Sequence, residues 1–187
     1  MVRERKGRNN VLRKGTRGMT TLEEKIEKLP KTELVQCSYK LRAEDIVMYS
    51  KILLEQLGKE KAIELVKKAR WDARYGIGRE AAEKLGNPKD VDTFHNERVK
   101  FMEKIPFVPR SEIVQETKNR VISRTTKCFL SDAIHNLKLD AGLMDVVKAY
   151  CNHEEGLAGG WGMKCTKQKF FLNGDNCCEF MWEIEAP

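Results

Sequence analysis

Asn173-Gly174-Asp175-Asn176-Cys177-Cys178-Glu179-Phe180 decides how the second half of this chain is read. Asn-Gly between two apolar runs is a strong hairpin signal, because both residues accept the positive φ of a tight turn. Phe171 precedes it, and Phe180 and Trp182 follow it, as aromatic residues suited to a pleated surface. The stretch predicts two strands, over 163–172 and 178–185. Upstream, 111–115 and 120–128 are rich in β-branched residues on either side of Lys118-Asn119, which predicts a second hairpin. Between the hairpins lie short helices over 131–137 and 143–150, then a loop over 156–162 that holds four glycines.

Toward the N-terminus the period changes from two to nearly four. Residues 20–36 read as a short helix capped by Thr20 or Thr21 and stopped at Pro30. Residues 42–57 space Ile46, Tyr49, Leu53 and Leu57 at helical intervals, with Gly58 as the C-terminal cap. A helix over 59–75, with Ile63, Val66, Ala69 and Trp71 as its buried set, continues to Leu85 through a kink at Gly76–Gly78. A further helix covers 90–104, and Pro106 and Pro109 mark the crossover to the strands. The expected fold class is α+β: a helical N-terminal half packed on one face of a small antiparallel sheet built from C-terminal hairpins. No P-loop, dinucleotide-binding or nucleophile-elbow motif is present.

The net charge of +7 is unevenly spread. Residues 1–18 hold Arg3, Arg5, Lys6, Arg8, Arg13, Lys14 and Arg17 against Glu4 alone, which leaves the rest nearly neutral. Residues 1–19 are expected to be a basic, disordered tail and 20–187 a single domain. Such a tail can bind phosphate backbones nonspecifically. A solubilising extension, or a start at Met19, is the simpler reading, and a nucleic-acid partner ranks last. No apolar run approaches the ~18 residues of a membrane helix, and the N-terminus lacks the apolar stretch of a secretory signal. The expected location is cytoplasmic, with reduced thiols. An exposed sheet edge would permit a homodimer, though no residue demands one.

Five of the six cysteines fall after residue 127: Cys128, Cys151, Cys165, Cys177 and Cys178. They share that third of the chain with His135, His153 and the pair Glu154-Glu155. Such side chains bind metal, attack electrophiles or move protons. Cys151-Asn152-His153-Glu154 sits where a helix meets the glycine-rich loop, so a thiol, an imidazole and a carboxylate can share one site. Taken singly, Cys151 also reads as a buried packing residue and His135 as a surface one. Alternation sends Cys177 and Cys178 to opposite faces, with Cys178, Phe180 and Trp182 together. It also puts Met163, Cys165, Lys167 and Lys169 on one face. Zinc-type spacing is absent; a site built from Cys128, Cys151 and His153 has no support from spacing, and the metal content is open. No cofactor is required. Arg70 and Arg74, four apart on a helix, can grip a carboxylate if their face lines a pocket.

Laid out this way, the chain resembles the L-2-amino-thiazoline-4-carboxylic acid hydrolase family over about 42–185. The resemblance rests on a helical first half leading to Arg124-Thr125-Thr126-Lys127-Cys128, on Cys151-Asn152-His153-Glu154 after a short helix, and on the Gly174-Asp175-Asn176-Cys177-Cys178-Glu179-Phe180 finish. The family usually has Asp after the second cysteine, and its segment before the last strands is less glycine-rich than 156–162. The resemblance implies a hydrolase that opens a C–N bond of a small cyclic amidine-like substrate. It implies catalytic roles for Cys151, His153, Glu154 and Cys128. Arg70, Arg74, Arg124, Cys165, Asp175 and Cys178 would contact the substrate. Either a thiolate attacks the amidine carbon, or carboxylate and imidazole position water. The finish is also similar to that of the 4-vinyl-reductase domain, which implies the rival reading of a non-catalytic small-molecule-binding or sensing domain.

Overall fold

A computed structural model describes residues 30–88, 90–103 and 111–184. The proposed capping box at Thr20 or Thr21 and the prolines at 106 and 109 lie outside them. Contacts divide the chain into Met1–Leu34 and Val35–Pro187. The elements run α1 (Lys31–Leu57), α2 (Lys59–Lys84), α3 (Val91–Glu103), β1 (Ser111–Thr117), β2 (Arg120–Thr125), α4 (Phe129–His135), α5 (Ala141–Ala149), α6 (His153–Gly160), β3 (Lys164–Lys169), a 3-10 turn (Phe171–Asn173) and β4 (Cys178–Glu183). The class is α+β, as the change of period indicates.

Helix boundaries depart from the sequence reading in three places. Residues 20–29, expected to be helical up to Pro30, lie outside the described ones, and the helix expected from 42 begins at Lys31, where the Pro30 carbonyl accepts from Glu33 and Leu34. A residue without an N–H is harmless where the helix leaves its donors unpaired. The helix over 59–85 runs unbroken through Gly76–Gly78. The expected loop over 156–162 is largely the helix α6.

The physical reason for α6 lies in α2. A Cβ on Gly156 would sit 2.4 Å from the Trp71 carbonyl oxygen, and one on Gly160 2.4 Å from that of Tyr75. On the facing helix, a Cβ on Gly78 would meet the Leu157 oxygen at 2.3 Å. Glycine weakens a helix in isolation. Here three glycines let two helix backbones touch, and that contact outweighs the local cost.

The four strands form one antiparallel sheet in the order β1-β2-β4-β3. Val121 pairs with Trp182 and Ser123 with Phe180, so these side chains share a buried face. α3 lies on that face through Phe94, whose ring is 6.0 Å from Trp182 and 5.4 Å from Trp161. Trp182 is fully buried. A second, smaller core joins Ala62 and Val66 of α2 to Val146 and Ala149 of α5. Tyr49, Ala69 and Trp71, expected inside, are exposed; α1 buries Ala43, Ile46 and Ser50 instead.

Candidate functional site

The turn Cys151-Asn152 joins α5 to α6, and the first turn of α6 holds Glu154 and Glu155. A helix N-terminus favours carboxylates there. Glu154 is buried and meets Arg98 of α3 through two contacts, Nε to Oε2 at 3.4 Å and Nη2 to Oε1 at 3.3 Å. His153 Nε2 lies 3.5 Å from the same Oε1. The Arg98 guanidinium also stacks 4.7 Å over Trp182. Burial alone would push the Glu154 carboxyl up; Arg98 and His153 outweigh it and hold the group far below the usual carboxylate range. Glu154 is therefore a fixed anion, a poor proton acceptor and a firm anchor.

A lysine stands beside Cys151 and Cys178. Lys167 of β3 donates to the Cys151 carbonyl at 3.3 Å and to Asn152 Oδ1 at 3.0 Å. Its ammonium stands 4.0 Å from the Phe170 ring centroid and 5.9 Å from that of Phe180. The Cys151, Cys128 and Cys178 thiols lie close enough to influence one another. Burial pushes Cys151 up to about 12, despite the Lys167 charge, and Cys178 up to about 11. Burial raises Cys128 too, against the pull of the Ser131 N–H, which its Sγ accepts at 3.4 Å as the N-cap of α4. Among the described residues no thiol is hydrogen-bonded to a histidine or carboxylate. All the cysteines are free. No three His, Cys, Asp or Glu side chains among the described residues are grouped to hold a metal ion.

An open cleft of about 430 Å3 lies between α2, α6 and β3. Trp71, Glu155, Lys164 and Cys165 line it. The Trp71 indole is stacked on Tyr75 at 4.6 Å and rests on Gly159, where a Cβ would stand 3.3 Å from the ring. Burial, then Glu154 and Glu155, keep the Cys165 thiol well above its ordinary range. A separate groove of about 330 Å3 is lined by Leu53, Leu65, Val66, Ala69, Arg70 and Tyr150.

Residues 38–182 match the family model described as L-2-amino-thiazoline-4-carboxylic acid hydrolase. The chain belongs to that family. The matched span contains the cleft, the Arg98–Glu154 pair and the lysine with its cysteines. No curated protein matches the chain. Among solved structures, trafficking protein particle complex subunit 3 from Naegleria fowleri, covalently bound to palmitic acid, is similar at 14% identity. The likeness covers 80% of this chain and 96% of that one, with a TM-score of 0.49.

The family resemblance put ten residues at the site, and the structure disperses them. Cys128, Cys151 and Cys178 lie near one another, with Lys167 beside the last two. His153 and Glu154 pair with each other and with Arg98. Cys165 faces the cleft. Arg70 lines the second groove, with Arg74 one turn further along α2. Arg124 stands on the opposite sheet face from Cys178, bound to Glu179 at 3.0 and 2.8 Å. Asp175 Oδ2 accepts from the Phe170 N–H at 2.7 Å and closes the turn before β4. His135 Nε2 meets the Phe171 carbonyl at 3.1 Å.

Sequence reasoning gave no site role to Arg98, Lys164 or Lys167, and named Glu155 only as half of an acidic pair. Arg98 had a signal: it occupies an inward position of the repeat Val91, Phe94, Arg98, where a charge needs a buried partner. Among the described residues no helix is long and apolar enough to cross a membrane.

Proposed function

We propose that this family member opens a C–N bond of a small cyclic amidine-like substrate, such as a 2-amino-thiazoline-4-carboxylate, in the cleft beside Trp71. The observation that carries the reading is that Glu155 and the Trp71 indole line one open cleft in a chain matching the hydrolase family. A protonated amidine is a flat cation. It suits a carboxylate at its edge and an indole at its face. Lys164, on the rim, supplies a cation for the substrate carboxylate.

The chemistry runs through water. Glu155 takes a proton from a water as its oxygen attacks the amidine carbon. The tetrahedral centre collapses, the ring C–N bond breaks, and the nitrogen leaves as an amine carrying the proton that Glu155 returns. Arg98 and His153 fix Glu154, which sets the first turn of α6 and so the aim of Glu155. The high position of every shifted thiol argues against a resting thiolate at Cys128, Cys151, Cys165 or Cys178. In this reading Cys165 is a wall of the cleft, and the other three are packing residues.

The test is incubation of the purified protein with 2-amino-thiazoline-4-carboxylate, followed by mass spectrometry and an amine-reactive reagent. The expected product is one water heavier and carries a new primary amine. A new thiol instead would place the cleavage at the C–S bond, and absence of turnover would remove the substrate class.

A further inference from the structure

The groove on the opposite side of α2 has its own chemistry. Its walls are Leu53 of α1, Leu65, Val66 and Ala69 of α2, and Tyr150 at the end of α5. Val66 belongs to the small core with Val146, so the floor is fixed by packing. The one charged group in it is Arg70. Its Nε donates to the Tyr150 carbonyl at 3.1 Å, and its guanidinium carbon lies 6.0 Å from the Tyr150 ring. That bond uses one of five donors and leaves the terminal nitrogens for other partners.

The surroundings of Arg70 are cationic. Arg74 follows it by one helical turn, and Arg42 of α1 is near enough to repel it. None of the three forms an ion pair with a described acidic side chain. By contrast, the buried Arg98 pairs with Glu154 and the half-buried Arg124 with Glu179. Three like charges beside an apolar groove of about 330 Å3 make a place for an anion with an apolar body.

We infer that this groove is a second binding site, separate from the cleft at Glu155, and that it takes a small organic carboxylate with a single ring or short branched chain. The carboxylate meets Arg70 in a bidentate pair while the apolar part lies on Leu53, Leu65 and Val66. The proposal does not depend on the hydrolytic reading, because it uses none of the residues of that cleft.

The test is calorimetric titration and saturation-transfer NMR of the full chain with phenylacetate, benzoate and isovalerate, beside phenylacetamide. Single-site binding of at least one carboxylate is expected, weaker by about tenfold or more for the neutral amide. Arg70→Met should abolish it. So should Ala69→Trp, which fills the groove from an exposed position and leaves the arginine in place. Glu155→Gln should leave it intact. Equal affinity for acid and amide would overturn the proposal. So would binding that survives both groove variants, loss of binding in Glu155→Gln, or no binding of any of the three acids at millimolar concentration.

Discussion

Gly156 lies so close to Trp71 that a methyl group on it would stand 2.4 Å from the Trp71 carbonyl oxygen and 2.9 Å from its Cα. This contact holds α6 on α2 and puts the Trp71 indole and Glu155 on the same cleft. Gly156→Ala and Gly160→Ala should therefore each cost on the order of 1–3 kcal/mol or more, as overpacked helix contacts do. Gly76→Ala, which meets nothing within 4 Å, should be neutral or stabilise by roughly 0.5–1 kcal/mol. Urea unfolding of the three variants measures the contrast. Equal losses at all three positions would mean that the helices do not meet through Gly156 and Gly160.

The buried ion pair gives a pH dependence with a definite sign. Glu154 is held below its ordinary value of 4.5, so the unfolded chain binds more protons than the folded one under acid. The pair's contribution is present above that value and is lost as pH falls below it toward the folded value. Glu154→Gln, which leaves Arg98 buried beside a neutral amide, should cost on the order of 3–5 kcal/mol at neutral pH. The gap to wild type should narrow as the pH is lowered below 4.5. Unfolding free energies at neutral and acidic pH test this; a constant gap would contradict it.

Thiol labelling should follow burial. Cys37 is exposed and should alkylate first at neutral pH. Cys151 and Cys178, pushed up to about 12 and about 11, should react slowly and accelerate only in strong alkali. Peptide mapping after brief iodoacetamide treatment reads the order. Cys151 labelling as fast as Cys37 would restore the thiolate mechanism.

Arg124 faces away from both cavities, in a partly exposed pair with Glu179. Arg124→Ala should change stability by about 1 kcal/mol or less and leave the Michaelis constant unchanged. A raised Michaelis constant would bring the outer sheet face into substrate binding.

The legible parts of this fold are those that depend on local period. The helix Val91–Glu103 and the strand Cys178–Glu183, with Cys178, Phe180 and Trp182 turned inward, follow from spacing alone. Helix α6 was not legible, because its glycines serve a partner about 80 residues away and look locally like a loop. Alternation placed Cys165 and Lys167 together but erred at Lys169. A register shift after Lys167 pairs Lys169 with Glu179, and its ammonium reaches that carboxylate at 3.7 Å. At the site, sequence spacing offered Cys151, His153 and Glu154 as a unit. Arg98 takes the carboxylate and Lys167 takes the Cys151 carbonyl, and neither partner is near in sequence.

The central claim is that Glu155, and not a cysteine, drives the chemistry in the Trp71 cleft. The most direct measurement is the rate of 2-amino-thiazoline-4-carboxylate ring opening by wild type, Glu155→Gln and Cys151→Ala, each checked for folding. Glu155→Gln should lose about 100-fold or more in kcat, as loss of a general base does, while Cys151→Ala stays within a few-fold of wild type. An active Glu155→Gln, or a Cys151→Ala that is folded and inert, would contradict the account.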